Sequence, residues 1–437
     1  MKTVNIGLIG LGAVGKAVAE GIISNGKLIA DRTGVSLVLK GICDKDKNAL
    51  NSINAKDASI KTGNADELIS SGDIDIIVEL IGGIDPAKKI VLSAIKNKKH
   101  VVTANKALLS KCWKEIFGAA SENNVFVKFE ASVGGSIPII RTLQESFVSN
   151  NFNVVYGILN GTTNFILTKM DKDKCGFSDA LSVAQEKGIA EADPELDISG
   201  KDSAHKLAIL SLLGFGIEVS PEDIYTEGIT KIGPQDIEYA ARWGYSIKLL
   251  AIAKREGGEL QLRVHPTLIA SSHLLSDVKG SDNAIFVNGD LVGESLLYGK
   301  GAGGRPTSSS VIGDIVDAAK QIAFSDGKNN MEYNLAYAGN SLDISRMEEL
   351  KTSYYLRFSA VDKPGVLAGI SKILADNDIS IANVSQEEHS VGEVVPVIIL
   401  THKAEEGNMR KAIESVDKLE YIKDKTVVIR IEEEEWA

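Results

Sequence analysis

The chain has 437 residues, of which 44% are apolar and 24% are charged, and its 59 acidic and 48 basic residues give a formal net charge of −11. At about 100–200 residues per domain, this length predicts more than one domain, and the near-average composition excludes a disordered chain. The negative charge argues against a nucleic-acid partner, because a polyanion would be repelled.

The number of cysteines and the length of the apolar runs indicate the cellular location of the protein. Cys43, Cys112 and Cys175 are odd in number and far apart, which is typical of free thiols in a reducing compartment. No separate apolar segment precedes the first predicted strand, so no signal peptide is expected. No run approaches about 18 apolar residues, so no membrane span is expected. The sequence therefore predicts a cytoplasmic protein.

The first 130 residues alternate short apolar runs with helical patterns. The first helix is expected to run from Ala13 towards Ile23. The predicted strands are Val4–Ile9, Leu37–Cys43, Ile74–Leu80, His100–Thr103 and Val125–Phe129. Strands that alternate with helices indicate parallel β-α-β units. Residues 1–130 are therefore predicted to form an α/β domain with a Rossmann-type, doubly wound parallel sheet.

A glycine-rich loop, Gly10-Leu11-Gly12-Ala13-Val14-Gly15, follows the first strand and opens the first helix. The first glycine allows a tight turn, the second lets the backbone approach a pyrophosphate, and the third allows close packing of helix and strand. The helix N-terminus then offers N–H groups to phosphates. The loop predicts a dinucleotide site with contacts at Gly10, Gly12, Ala13, Val14 and Gly15. The alternative is an ordinary structural turn.

The end of the second predicted strand, Cys43-Asp44-Lys45-Asp46, bears on the choice of nicotinamide cofactor. A carboxylate there can hold the ribose 2′-hydroxyl of NAD, whereas a basic group accommodates the 2′-phosphate of NADP. Asp44 favours NAD and Lys45 favours NADP, while Asp44 also suits an ordinary turn. Both cofactors therefore stay open.

A second, mixed α+β domain is predicted over residues 131–300, beginning with the Gly- and Ser-rich stretch Ala131–Pro138. Its predicted strands and long helix are Val154–Leu159, Leu260–Leu268, Ala284–Val287 and Lys201–Leu213. The glycine-rich loop Gly299–Arg305 then leads into a helical pattern at Val311–Ala323. Residues 301–325 are expected to return to the first domain.

Residues 326–351 are polar and weakly periodic, which is typical of a linker, and a third domain follows at 352–437. Its predicted strands are Tyr354–Ala360, Ile379–Glu387, Val394–Thr401 and Val427–Ile431. Its predicted helices are Gly365–Asn377 and one near Asn408–Val416. The order β-α-β-β-α-β is that of the ferredoxin-like motif.

Two groups of charged residues are candidates for chemistry. Lys106 follows the strand His100–Thr103, and ligands of parallel sheets bind at the carboxyl ends of strands, although most lysines are simply exposed. Acidic residues crowd the stretch 188–197, and Asp202 and Lys206 beyond it share one face of a helix. The acids suit a cationic substrate group, with a lysine near the reacting oxygen. A solvated acidic loop and a metal cage are the alternatives.

The chain resembles homoserine dehydrogenase over nearly its whole length. Besides the first glycine loop, five stretches carry the similarity by their order and spacing: Thr103–Ala107, Glu130–Pro138, Leu159–Asn164, Glu191 to Lys206, and Gly301–Thr307. The resemblance implies reduction of L-aspartate 4-semialdehyde to L-homoserine with NADPH or NADH, on the route to threonine, isoleucine and methionine. It implies the monofunctional form, because no aspartate-kinase-like region precedes these stretches. It also implies that the domain at residues 131–300 serves catalysis and dimerisation.

The resemblance also assigns chemical roles. Lys206 is implied as the general acid–base residue, and Lys106 as its partner near nicotinamide and substrate. Glu191 and Asp202, together with Asp197, are implied as substrate contacts. These roles agree with the reaction, because reduction of an aldehyde places negative charge on oxygen, which an ammonium stabilises and protonates. Carboxylates in turn suit the α-ammonium of the substrate.

The other implied sites are for a nucleotide and a cation. Further cofactor contacts are expected at Thr103, Lys106, Gly188 and Gly303. A monovalent, structural cation, expected to be sodium, is implied at the side chain of Glu130 and the carbonyls of Val133, Gly135 and Ile137. Glycines let carbonyl oxygens converge on a hard cation, which prefers oxygen ligands. An ordinary glycine-rich turn is the alternative.

The C-terminal domain resembles an ACT domain, a regulatory module of amino-acid metabolism. The matching turn into the first helix is Asp362-Lys363-Pro364-Gly365-Val366-Leu367. Pairs of such domains bind amino acids at their interface, so the resemblance implies threonine as a feedback inhibitor and a homodimer or homotetramer. A ligand-free role in dimerisation is the alternative, because fold does not determine function.

Two other functions are compatible with parts of the sequence. A nucleotide and amino-acid sensor without catalysis would keep both binding domains, but it would not need the lysines and carboxylates at family positions. A phosphorylating semialdehyde dehydrogenase needs a cysteine nucleophile in a cleft, and none of the three cysteines has such a setting in the sequence.

Overall fold

A computed structural model describes residues 2–324, 342–386 and 392–433. The chain divides into two compact units. The first contains Met1–Val155, His205–Asp223 and Asp282–Ser341, and the second contains Tyr156–Ala204, Ile224–Ser281 and Leu342–Ala437. None of the helices in the described ranges is long and apolar enough to cross a membrane.

The N-terminal part of the first unit alternates strands and helices. The strands are β1 (Lys2–Ile9), β2 (Val35–Cys43), β3 (Ile60–Thr62), β4 (Ile76–Glu79), β5 (His100–Thr103) and β6 (Val127–Lys128). The helices are α1 (Ala13–Thr33), α2 (Lys47–Ser52), α3 (Ala65–Ile69), α4 (Asp85–Lys96) and α5 (Lys106–Asn123). The strands form a parallel sheet of order β3-β2-β1-β4-β5-β6, which confirms the predicted doubly wound sheet. Its ligand-binding edge is formed by the carboxyl ends of the strands.

The middle of the chain is mixed. Its strands are β7 (Phe152–Ile158), β8 (Tyr225–Thr226), β9 (Tyr245–Glu256), β10 (Glu259–Ala270), β11 (Asp282–Gly289) and β12 (Gly293–Lys300). Its helices are α6 (Ile139–Arg141), α7 (Gly161–Asp173), α8 (Phe177–Glu186), α9 (Glu195–Ile198), α10 (Lys201–Phe215), α11 (Pro234–Arg242) and α12 (Gly304–Phe324). Strands β9 and β10 form an antiparallel hairpin whose two turn residues, Gly257 and Gly258, both have positive φ, as a two-residue hairpin loop requires.

Helix α1 continues well beyond its predicted end near Ile23, to Thr33. Gly21, inside the helix, has a packing role. A Cβ on Gly21 would lie 2.6 Å from Cδ1 of Ile312 on α12, so the glycine lets the two helices of the first unit approach closely. The helix ends at Gly34, whose φ of 74° forms a left-handed C-cap.

The C-terminal part confirms the predicted β-α-β-β-α-β order, with one additional two-residue strand before the second helix. Its strands are β13 (Lys351–Val361), β14 (Ile381–Ser385), β15 (Val394–Thr401), β16 (Ala404–Glu405) and β17 (Val427–Glu432). Its helices are α13 (Val366–Asp376) and α14 (Glu406–Val416). The sheet order β17-β13-β15-β14 is antiparallel throughout, and both helices contribute to its buried core.

This C-terminal sheet continues beyond β17. Strand β17 pairs in parallel with β10, with Thr267 opposite Arg430 and Ile269 opposite Glu432. Within the second unit, one sheet therefore runs in the order β9-β10-β17-β13-β15-β14. The sequence predicts no such junction. The predicted domain boundaries stay a prediction, and residues 326–341 of the predicted linker lie outside the described residues, as does the predicted strand end at Glu387.

Candidate active site

The glycine-rich loop between β1 and α1 has the geometry of a phosphate cradle. Gly10 has a φ of 95°, and a Cβ on Gly15 would lie only 1.9 Å from the carbonyl oxygen of Gly10, so both positions require glycine. A Cβ on Gly12 would meet nothing within 4 Å, so this glycine faces open space. Gly12 is also the N-cap of α1 and supplies no side-chain cap. The first N–H groups of the helix can therefore meet a phosphate.

Asp44, at the end of β2, is tied to this loop. Its carboxylate accepts hydrogen bonds from the backbone N–H of Leu11 at 2.6 Å and of Asp46 at 2.8 Å. Lys45 is exposed. Asp44 therefore has the structural turn role that the sequence left open, at the same position where a carboxylate would meet the ribose of NAD.

A second glycine-rich loop packs beside the first within the first unit. Gly303 has a φ of 113°. A Cβ on Gly304, the first residue of α12, would lie 2.7 Å from the carbonyl oxygen of Ala13. The structure therefore brings together two of the predicted cofactor contacts, Ala13 and Gly303, although they are far apart in sequence.

A buried carboxylate supports the segment that leads into α5. Glu79, at the end of β4, accepts hydrogen bonds from the hydroxyl of Thr103 at 2.7 Å and from the N–H of Ile81 at 2.8 Å. Asn105 caps α5 and donates to the carbonyl of Gly83 at 2.7 Å. Because Thr103 is fully buried and its hydroxyl donates to Glu79, its side chain has a structural role here, and its contact with a cofactor stays a prediction. Glu79 is not among the residues predicted from the sequence, where its signal is an acid that ends an apolar strand.

The two candidate lysines lie on helices that contact each other in the first unit. Lys106 is the first residue of α5 and Lys206 lies in α10. Ser110, one turn after Lys106, forms a 2.8 Å hydrogen bond with Nδ1 of His205, the residue before Lys206. Lys206 is 9% exposed and Lys106 is half-buried. Partly desolvated ammonium groups such as these interact more strongly with a substrate oxygen than exposed ones.

The predicted substrate carboxylates belong to the second unit. Asp202 is buried, Asp197 is half-buried and Glu191 is exposed. Asn160, the N-cap of α7, joins two of them, because its amide donates to Asp197 at 2.7 Å and to Asp202 at 2.9 Å. Gly188, a predicted cofactor contact, has a φ of 67° and open space around its Cβ position. Asn160 is not among the site residues predicted from the sequence.

The carboxylate of Glu130, a predicted cation ligand, caps α6. Its two oxygens accept hydrogen bonds from the N–H groups of Ile140 at 2.8 Å and Arg141 at 2.9 Å. Burial raises the pKa of Glu130, and burial also raises to about 7 the pKa of Asp314, which accepts the N–H of Glu130 at 2.7 Å. Positive charge nearby would lower the cost of ionising these buried acids.

The rest of the predicted cation loop supplies mostly oxygen atoms. The Ser132 hydroxyl is buried and has no hydrogen-bond partner among the described residues. Gly134 and Gly135 have positive φ values of 71° and 58°, which turn successive peptide groups. In the described ranges, no group of three or more His, Cys, Asp or Glu residues could hold a metal. The carbonyl of Ile137, a predicted ligand, accepts the N–H of Ile139 at 2.8 Å. The Ser132 hydroxyl and the turned peptide groups are oxygen donors of the kind that a hard cation prefers.

Cysteine chemistry has a poor setting in the structure. Burial raises the pKa of the Cys43 thiol to about 11, and Asp44 adds to this effect. The thiolate is the nucleophilic form, so this raised pKa disfavours Cys43 as a nucleophile at neutral pH. All three cysteines are free. This argues against Cys43 as the nucleophile of a phosphorylating semialdehyde dehydrogenase.

Comparisons with known proteins agree along the whole chain. Three family models match it: "Homoserine dehydrogenase, NAD binding domain" at residues 10–130, "Homoserine dehydrogenase" at 138–316 and "ACT domain" at 354–420. The homoserine dehydrogenase of Neisseria gonorrhoeae is 42% identical over 435 residues, 99% of each chain. That of Pseudomonas aeruginosa is 42% identical over 437 residues, 99% of this chain and 100% of the other. The chain belongs to the homoserine dehydrogenase family.

Solved structures of homoserine dehydrogenases share the fold. That of Thiobacillus denitrificans has a TM-score of 0.90 at 41% identity and covers 99% of both chains. A hyperthermophilic archaeal homoserine dehydrogenase in complex with NADPH has a TM-score of 0.62 at 29% identity, over 74% of this chain and 99% of that one. These findings confirm the predicted fold class and make the chain an NAD(P)-dependent oxidoreductase, which argues against the sensor without catalysis.

Proposed function

We propose that this member of the homoserine dehydrogenase family interconverts L-aspartate 4-semialdehyde and L-homoserine, with NADP or NAD, on the route to threonine, methionine and isoleucine. The observation that carries the proposal is the composition of α10. This helix holds Asp202 and, one turn later, Lys206, and it contacts the helix of Lys106 through His205 and Ser110.

Lys206 is the proposed general acid–base residue. In the direction of reduction, its ammonium donates a proton to the aldehyde oxygen, and in the direction of oxidation its neutral amine removes the proton of the C4 hydroxyl. Lys106 stabilises the negative charge that develops on that oxygen. A bound nicotinamide supplies the hydride in one direction and accepts it in the other.

The carboxylates Glu191, Asp197 and Asp202 are proposed to bind the α-ammonium of the substrate through charge-assisted hydrogen bonds. The test is 4-hydroxybutyrate, which keeps the alcohol and the carboxylate of homoserine but lacks the ammonium. Its kcat/KM is expected to be about a hundredfold or more below that of L-homoserine, because the site's charged groups would lose their partner. A ratio within threefold would contradict this assignment.

The nucleotide is proposed to lie on the first glycine loop, with its pyrophosphate at the N-terminus of α1. The proposed contacts are Gly10, Gly12, Ala13, Val14, Gly15, Thr103, Lys106, Gly188 and Gly303. The open space at Gly12 and the packing of Gly304 against Ala13 support this placement. The NADPH complex of the archaeal relative supports a nicotinamide nucleotide as ligand.

Gly12→Ala is expected to weaken nucleotide binding by about tenfold or more without unfolding the protein. The new Cβ meets no protein atom but occupies the space proposed for the pyrophosphate. Gly26→Ala is the matched control, because it also adds a Cβ in open space on α1. It should bind nucleotide normally and gain up to about 1 kcal/mol of stability. Calorimetric titration with NADPH and NADH measures the Kd, and an unchanged Kd for Gly12→Ala would place the pyrophosphate elsewhere.

A monovalent cation, expected to be sodium, is proposed at the Glu130 side chain and the carbonyls of Val133, Gly135 and Ile137. It would compensate the buried carboxyl charge and stabilise the loop. Exchange of sodium chloride for choline chloride at equal ionic strength is expected to lower the Tm, and sodium should restore it. An identical Tm in both salts would argue for an ordinary glycine-rich turn.

Regulation, assembly and location complete the proposal. The ACT domain is proposed to bind threonine as a feedback inhibitor in a homodimer or homotetramer. Threonine titrated into the activity assay tests the effector, and an unaltered rate would contradict feedback inhibition. Analytical sedimentation tests the assembly, and a monomer would contradict the homodimer or homotetramer. The three free cysteines support a reducing, cytoplasmic location.

A further inference from the structure

Asn160 sits between two carboxylates of the second unit. Its side-chain amide donates to Oδ1 of Asp197 at 2.7 Å and to Oδ2 of Asp202 at 2.9 Å. Asn160 is 5% exposed and Asp202 is 3% exposed. The two acids come from α9 and α10, and Asn160 is the residue that links both to the start of α7.

The orientation of this amide is set by its surroundings. Its Oδ1 accepts the backbone N–H of Thr163 at 2.9 Å and the Thr163 hydroxyl at 3.1 Å. A flipped amide would place its oxygen against both carboxylates and its N–H groups against a backbone donor. Both N–H groups are therefore committed to the acids, and the oxygen is committed to the helix cap.

The hydrogen-bond donor between the two carboxylates is a neutral amide, and this affects their charge. A lysine or arginine at this position would neutralise the carboxylates as well as hold them. An amide fixes their directions without itself cancelling their negative charge, because a neutral hydrogen-bond donor stabilises an anion but adds no positive charge.

We propose that Asn160 is a positioning residue that holds Asp197 and Asp202 in the arrangement that receives the α-ammonium of an amino-acid substrate. This inference rests on the proposed function, which makes these carboxylates substrate contacts. Asn160 itself touches the acids, and its effect on the substrate passes through them.

The test separates this role from helix capping. Asn160→Ser and Asn160→Asp both keep an oxygen that can accept the N–H of Thr163, since Ser and Asp are good N-cap residues, but neither has an amide donor. Asn160→Ser is expected to raise the KM for L-homoserine about tenfold, with a smaller change in kcat. Asn160→Asp is expected to raise it further, because a third carboxylate repels the other two. The Kd for NADPH should stay within twofold.

Asn164→Ser is the matched control. Asn164 lies on the same helix, is 2% exposed, donates to the carbonyl of Val278 at 3.2 Å and accepts from Nζ of Lys248 at 3.5 Å. The Asn164→Ser variant is expected to be less stable than wild type, because it loses a buried, hydrogen-bonded side chain. Its KM for L-homoserine should stay within twofold of the wild-type value.

Each outcome decides a different point. Folded Asn160→Ser with a wild-type KM, or Asn164→Ser with an equal rise in KM, would overturn the positioning role. Wild-type protein that oxidises no homoserine with either nucleotide would instead overturn the proposed function, and the positioning role with it. If Asn160→Ser does not fold, Thr163→Ala is used instead. This variant removes one of the hydrogen bonds that orient the Asn160 amide, so it should raise the KM for L-homoserine with a smaller change in kcat.

Discussion

Replacement of Lys206 by alanine is expected to lower kcat for homoserine oxidation by about 10²–10⁴-fold, the usual contribution of a positioned acid–base group. The Kd for the nucleotide should remain unchanged, because the glycine loop and α1 are untouched. Rates are measured by the absorbance of reduced nicotinamide at saturating substrate, and nucleotide Kd by calorimetry on the same preparations.

Lys201→Ala is the matched control for this result. Lys201 is the first residue of the same helix and is exposed, so its loss removes a lysine from α10 without reaching the buried position of Lys206. It should keep kcat within about twofold. A Lys206→Ala enzyme that is folded and turns over at a similar rate would remove Lys206 from the chemistry, and Lys106 would become the candidate acid.

Replacement of Glu432 by alanine is expected to destabilise the second unit by roughly 3–5 kcal/mol, the usual cost of breaking a buried ion pair. Glu432 lies on β17, where the C-terminal sheet meets β10. Its carboxylate binds Arg263 at 2.5 Å, Lys254 at 2.8 Å and the hydroxyl of Tyr156 at 2.7 Å. The alanine variant would leave the buried guanidinium of Arg263 without this partner. Chemical denaturation followed by circular dichroism measures the loss.

The next residue, Glu433, provides the matched control for Glu432→Ala, and the pH dependence of stability provides a second test. Glu433 is about 40% exposed, pairs with Lys403 at 3.8 Å and accepts the hydroxyl of Ser353 at 3.0 Å, so Glu433→Ala should cost only about 1 kcal/mol. Burial alone would raise the pKa of Glu432, but Arg263 and Lys254 hold it below its ordinary value of 4.5. The stabilisation is therefore complete above that pH and is lost as the pH falls further. Equal stability of both variants and wild type at neutral pH would contradict the role of the junction.

Much of the fold could be predicted because its signals are local. Strands of the parallel sheet are short apolar runs between turn residues, and β15 was expected at Val394–Thr401, as observed. Strand β3 was not expected, because Ile60–Thr62 is a short edge strand without a buried run. Pairing of β17 with β10 could not be predicted either, because it joins residues far apart in sequence and leaves no local mark.

In the candidate site too, some residues have a local sequence signal and others depend on distant parts of the chain. Lys106, Lys206 and the acids are predicted through the order and spacing of the stretches that resemble the family, and their roles stay predictions. Asn160 and Glu79 are missed, because their roles depend on hydrogen bonds to other segments of the chain. In the sequence, these residues are visible only as an asparagine before Gly-Thr-Thr and a glutamate that ends an apolar strand. Neither pattern indicates which residue the side chain will bind.

The most direct test of the proposed function is to mix the folded protein with L-homoserine and either NADP⁺ or NAD⁺ and to follow the reduced-nicotinamide absorbance. We expect a rise with at least one nucleotide, together with an equimolar amount of L-aspartate 4-semialdehyde trapped as a carbonyl adduct. Absence of any rise with both nucleotides, in protein whose circular dichroism shows a folded state, would contradict homoserine as the substrate.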